Sequence, residues 1–395
     1  MNIKLSQRVQ SIKPSPTLAV TARAAALRAA GQDIIGLGAG EPDFDTPEHI
    51  KQAARDAINA GKTKYTAVDG TVELKTAIIN KFKKDNGLSY ELDQVLVSCG
   101  GKQSFFNLAQ AFLDDGDEVI IPAPYWVSYP DMCLLAGGVP VIVEASQEQD
   151  FKLTPAQLEA AITDKTKLVV INSPSNPSGK AYTNDELAAL GAVIKKHPNI
   201  LIATDDMYEH ILWCDEPFSN IVMACPELYD QTIVLNGVSK AYSMTGWRIG
   251  YAAGPATLIK AMKKIQSQST SNPTSISQYA AQAALEGDQS CIDEMLISFK
   301  ERHDFVVEKL NAMNDVNCIS SDGTFYCFPD FNAVLNRMDN IDNDVDLAEY
   351  ILEKAGVALV PGSAFGLNGH MRISIATSMD NLVNAMERIA KLLNN

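Results

Sequence analysis

Leu235-Asn236-Gly237-Val238-Ser239-Lys240-Ala241-Tyr242-Ser243-Met244-Thr245-Gly246-Trp247-Arg248-Ile249-Gly250-Tyr251 is the stretch on which the reading of this chain turns. An apolar run, Thr232 to Leu235, leads in. Small and polar residues follow, and a second apolar run, Ile249 to Ala253, leads out. That pattern predicts two buried strands joined by a polar loop that carries Lys240, with the Ser239 hydroxyl beside it and the Arg248 guanidinium nearby. Burying an ammonium is costly, so a lysine between core strands is unusual. On local sequence alone the plainer reading is a loop lysine in water. The sharper one is a desolvated amine of lowered pKa that can form a Schiff base with a carbonyl.

Working outward, the same strand-then-polar-loop pattern repeats. Val95 to Val97 runs into Ser98-Cys99-Gly100-Gly101-Lys102 and a helix to about Leu113. Glu118 to Ile121 ends in Pro122-Ala123-Pro124-Tyr125-Trp126, and Val139 to Val143 is a further strand. Leu168 to Ile171 leads into Asn172-Ser173-Pro174-Ser175-Asn176-Pro177-Ser178-Gly179. Leu201 to Thr204 ends in Asp205-Asp206-Met207-Tyr208. Helical spacing appears between them, at Pro155 to Ile162 and from Asn184. Short apolar strands alternating with helices predict an α/β fold with a mainly parallel sheet. In such sheets ligands bind beyond the carboxyl ends of the strands. Those ends carry Gly101, Lys102, Trp126, Asn176, Asp205, Tyr208, Ser239 and Lys240.

Ahead of this region, Thr17 to Ala30 reads as a helix stopped by Gly31. Ile34 to Asp45 reads as a short strand entering a glycine-rich turn at Gly36, Gly38 and Gly40. After Pro255 two helical patterns follow, to about Leu285 and from about Asp288 to Met313. Strand signals then appear at Val316–Ile319, Phe325–Phe328, Val357–Val360 and Met371–Ile375, with helices at Val345–Lys354 and Asp380–Leu393. The acidic stretch Asp339 to Asp346 reads as a solvated loop. The expected division is a large domain over 46–289 and a smaller one built from 1–45 and 290–395.

The 395 residues suffice for two domains, and the formal charge of −15 argues against nucleic acid as the main partner. Met1 to Pro16 has no signal-peptide core, and no apolar run approaches membrane-spanning length. The seven cysteines form no CxxC and read as the reduced thiols of a cytoplasmic protein. The five histidines lack metal-ligand spacing.

Taken as one site, the strand-end residues fill complementary roles. The first amides of the helix opening at Gly100-Gly101-Lys102 suit a phosphate, helped by Ser239 and Arg248. Trp126 can stack on a flat ring. Asp205 closes a buried strand, where a cationic ring nitrogen would satisfy it. Tyr208 and Asn176 can donate to a ring oxygen, and Lys240 supplies an amine. Phosphate, aromatic ring, protonated nitrogen, phenolic oxygen and aldehyde together describe pyridoxal 5'-phosphate (PLP), whose pyridinium acts as an electron sink when a carboxylate holds it.

The motifs Ala39–Phe44, Gly100–Gln103, Tyr125–Tyr129, Asn172–Gly179, Asp205–His210, Ser239–Gly250 and Met371–Ser374 resemble those of fold-type I PLP-dependent enzymes of the class I aminotransferase family. The branch most resembled is that of the bacterial aspartate and aspartate/prephenate aminotransferases. The likeness runs through the whole chain in the expected order. It implies Lys240 as Schiff-base lysine and proton shuttle, Asp205 against the pyridine nitrogen, Tyr208 and Asn176 at the phenolic oxygen, and Trp126 over the ring. It also implies Gly101, Lys102, Ser239 and Arg248 around the phosphate. Tyr65 would reach the phosphate of a neighbouring subunit, hence a homodimer with shared sites. Arg372 would clamp the substrate α-carboxylate beside Asn176, Trp126 and the Gly40 backbone. Lys102 would meet a distal carboxylate, and Lys13 matches a position linked to prephenate use. The implied reaction is a ping-pong transfer of an amino group from L-aspartate to 2-oxoglutarate. An aromatic or alanine aminotransferase, or a PLP β-lyase on the same scaffold, is the alternative enzyme. A non-catalytic regulator domain would need a helix-turn-helix segment and a basic patch, and the sequence has neither.

Overall fold

The computed structural model describes residues 3–14 and 16–394; Met1, Asn2, Ser15 and Asn395 lie outside the described residues. Its strands in chain order are β1 (Ile35–Gly36), β2 (Val95–Ser98), β3 (Glu118–Ala123), β4 (Val139–Glu144), β5 (Thr166–Asn172), β6 (Leu201–Asp205), β7 (Thr232–Gly237), β8 (Gly250–Ala253), β9 (Tyr326–Cys327), β10 (Val357–Ala358), β11 (Val360–Pro361) and β12 (Met371–Ser374).

Seven of these form one sheet in the order β2-β8-β7-β6-β5-β3-β4. Only β8 runs against its neighbours. Alternate residues along the central strands feed two separate cores. Val95, Val97, Val169, Ile171, Ile202 and Val234 pack on one face under helices Glu48–Asn59, Val72–Lys81, Asn184–Ile194 and Ser275–Glu286. Leu96, Val119, Leu168, Val170, Ala203 and Leu235 pack on the other, under Gly101–Phe112, Ser128–Leu135 and Ala256–Ser269. Because both faces are covered, the strands read as unbroken apolar runs rather than as alternation. The edge strand β4 differs: Val139 is 45% exposed, and Pro140 is tolerated there because an edge strand can spare the amide.

A further core gathers Leu37, Phe299, Phe325, Tyr326, Leu347, Ile373 and Ile389 around the antiparallel sheet β11-β12-β9. β1 pairs in parallel with β10 and so ties the start of the chain to this part.

Four expectations are corrected. The helical pattern up to Leu285 is two helices, Ala256–Ser269 and Ser275–Glu286, broken where Ser271 takes φ +62 just before Asn272-Pro273. Val316–Ile319 forms no strand, only a bridge from Asn317 to Asp330. Val357–Val360 is divided between two strands, β10 and β11, with different partners. The acidic stretch is not wholly a solvated loop. Asn343 caps the helix Asp344–Ala355, and buried Asp344 accepts the Ser363 amide at 2.6 Å. A carboxylate at a helix N-terminus is stabilised by the dipole even when it is buried. No helix among the described residues is long and apolar enough to cross a membrane.

Candidate active site

The six co-directional strands of the large sheet end on one edge, and there a cavity of about 460 Å³ opens. β2 delivers Gly101 and Lys102, β3 Trp126, β5 Asn172 and Asn176, β6 Asp205 and Tyr208, and β7 Ser239 and Lys240. The reversed β8 places Arg248 on the same edge, just before it begins. Gly40, Tyr326 and Arg372 close the cavity from the other side.

Lys240 Nζ donates to the Gly40 carbonyl at 2.6 Å and lies 5.9 Å from the centroids of both the Tyr208 and Phe325 rings. Burial, reinforced by the Arg372 charge and only partly opposed by Glu41 and Asp205, lowers its pKa to about 8. Partial burial in the cavity wall is the main physical cause of this shift.

Asp205 is half-buried, and that burial pushes its carboxyl above the usual range. It accepts the Tyr129 hydroxyl and, at 3.3 Å, the Met207 amide. It makes no ion pair among the described residues. The Tyr208 hydroxyl meets that of Tyr326 at 3.1 Å, and burial raises the pKa of both phenols.

Arg372, 2% exposed, lies 4.4 Å above the Tyr326 ring and donates to Asn176 Oδ1 at 2.9 Å and to the Gly38 carbonyl at 2.8 Å. Its Nε has no hydrogen-bond partner among the described residues. A buried guanidinium that contacts only neutral acceptors is a site for an anion. Arg248 is exposed rather than buried, and its contacts are likewise neutral acceptors, the carbonyls of Thr245 at 3.0 Å and Cys99 at 3.2 Å. The adjoining helix Gly101–Phe112 begins at Gly100 with φ +86, and a side chain there would run into the Arg248 guanidinium. Lys102 Nζ sits 5.1 Å from the Trp126 ring, its pKa lowered by burial and then by Arg248.

The family described as aminotransferase class I and II matches residues 32–389. The chain belongs to that family. The aspartate/prephenate aminotransferase of Nitrosomonas europaea is 61% identical over 396 residues, 99% of this chain and 100% of that protein. The enzyme of the same name from Cereibacter sphaeroides is 56% identical, covering 98% of this chain and 97% of its own. Among solved structures, the aspartate aminotransferase of Rhizobium meliloti matches with a TM-score of 0.96 at 51% identity, over 99% of this chain and 98% of that one. The Thermus thermophilus aspartate aminotransferase, solved with maleate, matches with a TM-score of 0.93 at 44% identity, over 99% of this chain and 100% of that one. Aminotransferases of this family depend on PLP, and this one is a PLP-dependent transferase.

Of the residues expected from the sequence, Gly40, Gly101, Lys102, Trp126, Asn176, Asp205, Tyr208, Ser239, Lys240, Arg248 and Arg372 all line this aminotransferase's cavity. Two do not. Tyr65 is 91% exposed, and Lys13 is exposed near the start of the chain. Sequence reasoning assigned no role to Tyr129, Tyr326, Asn172 or the Thr17–Thr21 face of the first long helix, which also line the cavity. Tyr129 closes the Tyr125–Tyr129 motif. Its function became visible only when the fold brought its hydroxyl to Asp205, 76 positions along the chain.

Proposed function

We propose that this protein is an aspartate aminotransferase, converting L-aspartate and 2-oxoglutarate to oxaloacetate and L-glutamate, with prephenate as a further amino acceptor. The observation that carries the reading is the Lys240 amine, its pKa lowered to about 8, in a cavity that also contains a half-buried carboxylate, Asp205, and a buried guanidinium, Arg372, with no ion pair among the described residues. The names of the relatives support the choice of substrate.

The residues present fit PLP. Asp205, half-buried and without an ion-pair partner among the described residues, suits the pyridine nitrogen. Tyr208 and Asn176 suit the phenolic oxygen, and Trp126 the ring face. Ser239, Arg248 and the Gly101 and Lys102 amides suit the phosphate. Bound PLP supplies an aldehyde for the amino group and a ring that takes up the electron pair released at the substrate α-carbon. Lys240 Nζ removes the α-proton, holds it and returns it. A pKa near the working pH suits one amine to both directions. Arg372 binds the α-carboxylate with Asn176 beside it, and the Gly40 carbonyl orients Lys240. Lys102 meets the distal carboxylate.

The reading extends to a cytoplasmic homodimer in which Tyr65 serves the neighbouring site. It also includes a large domain over 46–289 and a small one from 1–45 and 290–395, in keeping with the separate apolar cores. Holoprotein mixed with L-aspartate or L-glutamate should exchange the absorption of the bound aldehyde for that of the amine form. Lys240→Ala should lose turnover by roughly 100- to 10,000-fold. Lys102→Ala should reduce aspartate turnover far more than phenylalanine turnover; an equal loss would remove the basis for aspartate.

A further inference from the structure

Asp205 and Tyr208 face the cavity, whereas their neighbours Asp206 and Glu209 are buried and do not line it. Glu209 is held from three directions. Lys81, at the end of helix Val72–Lys81, forms an ion pair with Oε1. Asn236, near the end of β7, donates to the same oxygen at 2.8 Å. Asn86, in the turn after that helix, donates to Oε2 at 2.9 Å and accepts from Lys81 Nζ at 2.8 Å. Other charges are close: His210 Nε2 is 3.4 Å from Glu209 and 3.6 Å from Asp85, and Lys81 lies 3.8 Å from Asp85. Asp206 is satisfied separately, by Thr204 and Asn220, each at 2.7 Å.

These contacts join three segments. One is the helix Val72–Lys81 and its following turn, one carries Asp205 and Tyr208, and one is the strand that reaches Lys240 four residues after Asn236. A buried ion pair contributes little net stability against an apolar replacement, but it defines a unique geometry when every lone pair is used. Burial alone would raise the Glu209 pKa. Lys81, His210 and Asn86 bring it down to about 2, so the carboxylate is charged at all working pH.

We infer that the buried Lys81–Glu209–Asn236 cluster is a positioning device: it sets the Asp205–Tyr208 segment against the strand leading to Lys240, and so acts on PLP without touching it. The inference rests on the PLP-dependent reading above. Each member is a positioning residue, and removing the ionic contact leaves Asp205 and Tyr208 intact but displaced relative to Lys240.

The test pairs Lys81→Met with Glu209→Gln in one chain. This removes both partners of the ion pair together, and the amide oxygen introduced at position 209 still accepts from one of the two asparagines. Measured are the PLP dissociation constant by titration of resolved protein, the absorption maximum of the holoprotein and the unfolding temperature without PLP. Expected are PLP binding weaker by about tenfold or more, the scale on which partners behind a binding site act, a shifted absorption maximum, and an unfolding temperature close to the unaltered protein's. An unchanged dissociation constant and absorption maximum overturn the inference, whether or not the unfolding temperature falls. If the double variant does not fold, Asn236→Ala is judged by the same PLP criteria. Failure of the unaltered protein to bind PLP would instead overturn the functional reading.

Discussion

Lys240 carries the chemistry at the scale of single residues, and its charge state follows from named neighbours. An ordinary lysine at pH 8 is almost wholly protonated, whereas a pKa lowered to about 8 gives this amine a substantial neutral fraction there. In PLP-free protein the reactivity of Nζ toward a trace acylating reagent should rise as pH climbs through about 8 and level off above it. Because the Arg372 charge depresses this pKa, Arg372→Gln should move the midpoint upward. A downward or absent shift, read by peptide mapping across pH, would remove Arg372 from the electrostatics of the amine. Lys240 and Asp205 were legible in sequence because a charged residue at the end of an apolar run is locally anomalous. Tyr326 was not. An aromatic residue in an apolar segment is the expected occupant of a core, and only its 3.1 Å contact with Tyr208 and its place under Arg372 distinguish it.

At the scale of elements, the reversed strand β8 decides the anion end of the cavity. Ser98 pairs with Gly250, and Gly237 pairs with Gly250 from the other side. A side chain at Gly250 would press into the backbone of Gly100 and Gly101, where the helix Gly101–Phe112 begins. Gly250→Ala should therefore destabilise the protein by about 1–3 kcal/mol, as overpacking does, and should also weaken PLP binding. Gly246→Ala, in the segment just before β8 and with nothing within 4 Å of its added carbon, should leave both nearly unchanged. Thermal unfolding with and without PLP separates the two variants, and equal behaviour would contradict the packing argument. The strands were legible because burial on both faces makes them continuously apolar. The direction of β8 was not, since nothing in a four-residue apolar run encodes which way it lies.

At the scale of the whole molecule, Tyr65 stands apart: it is 91% exposed and outside the cavity. If it completes the site of a second copy, the protein in solution should have the mass of two chains. Mixing Lys240→Ala subunits with Tyr65→Phe subunits should then give more activity than either parent, because one mixed site regains both residues. No gain on mixing, with subunit exchange verified, would contradict shared sites. The sequence by itself determined the α/β class, the order of the strands along the chain and most of the residues at their polar ends. Those features follow from local hydrophobic pattern and from charges placed where burial is expensive. The tertiary structure alone decided how the strands are ordered in the sheet and that Tyr129 meets Asp205. It also decided that Arg372 lies buried on Tyr326, and that Lys81 and Asn236 converge on Glu209 behind the cavity. Each is a contact between residues distant in the chain, made when helices and strands pack, and a periodicity that describes one segment at a time carries no record of its partner.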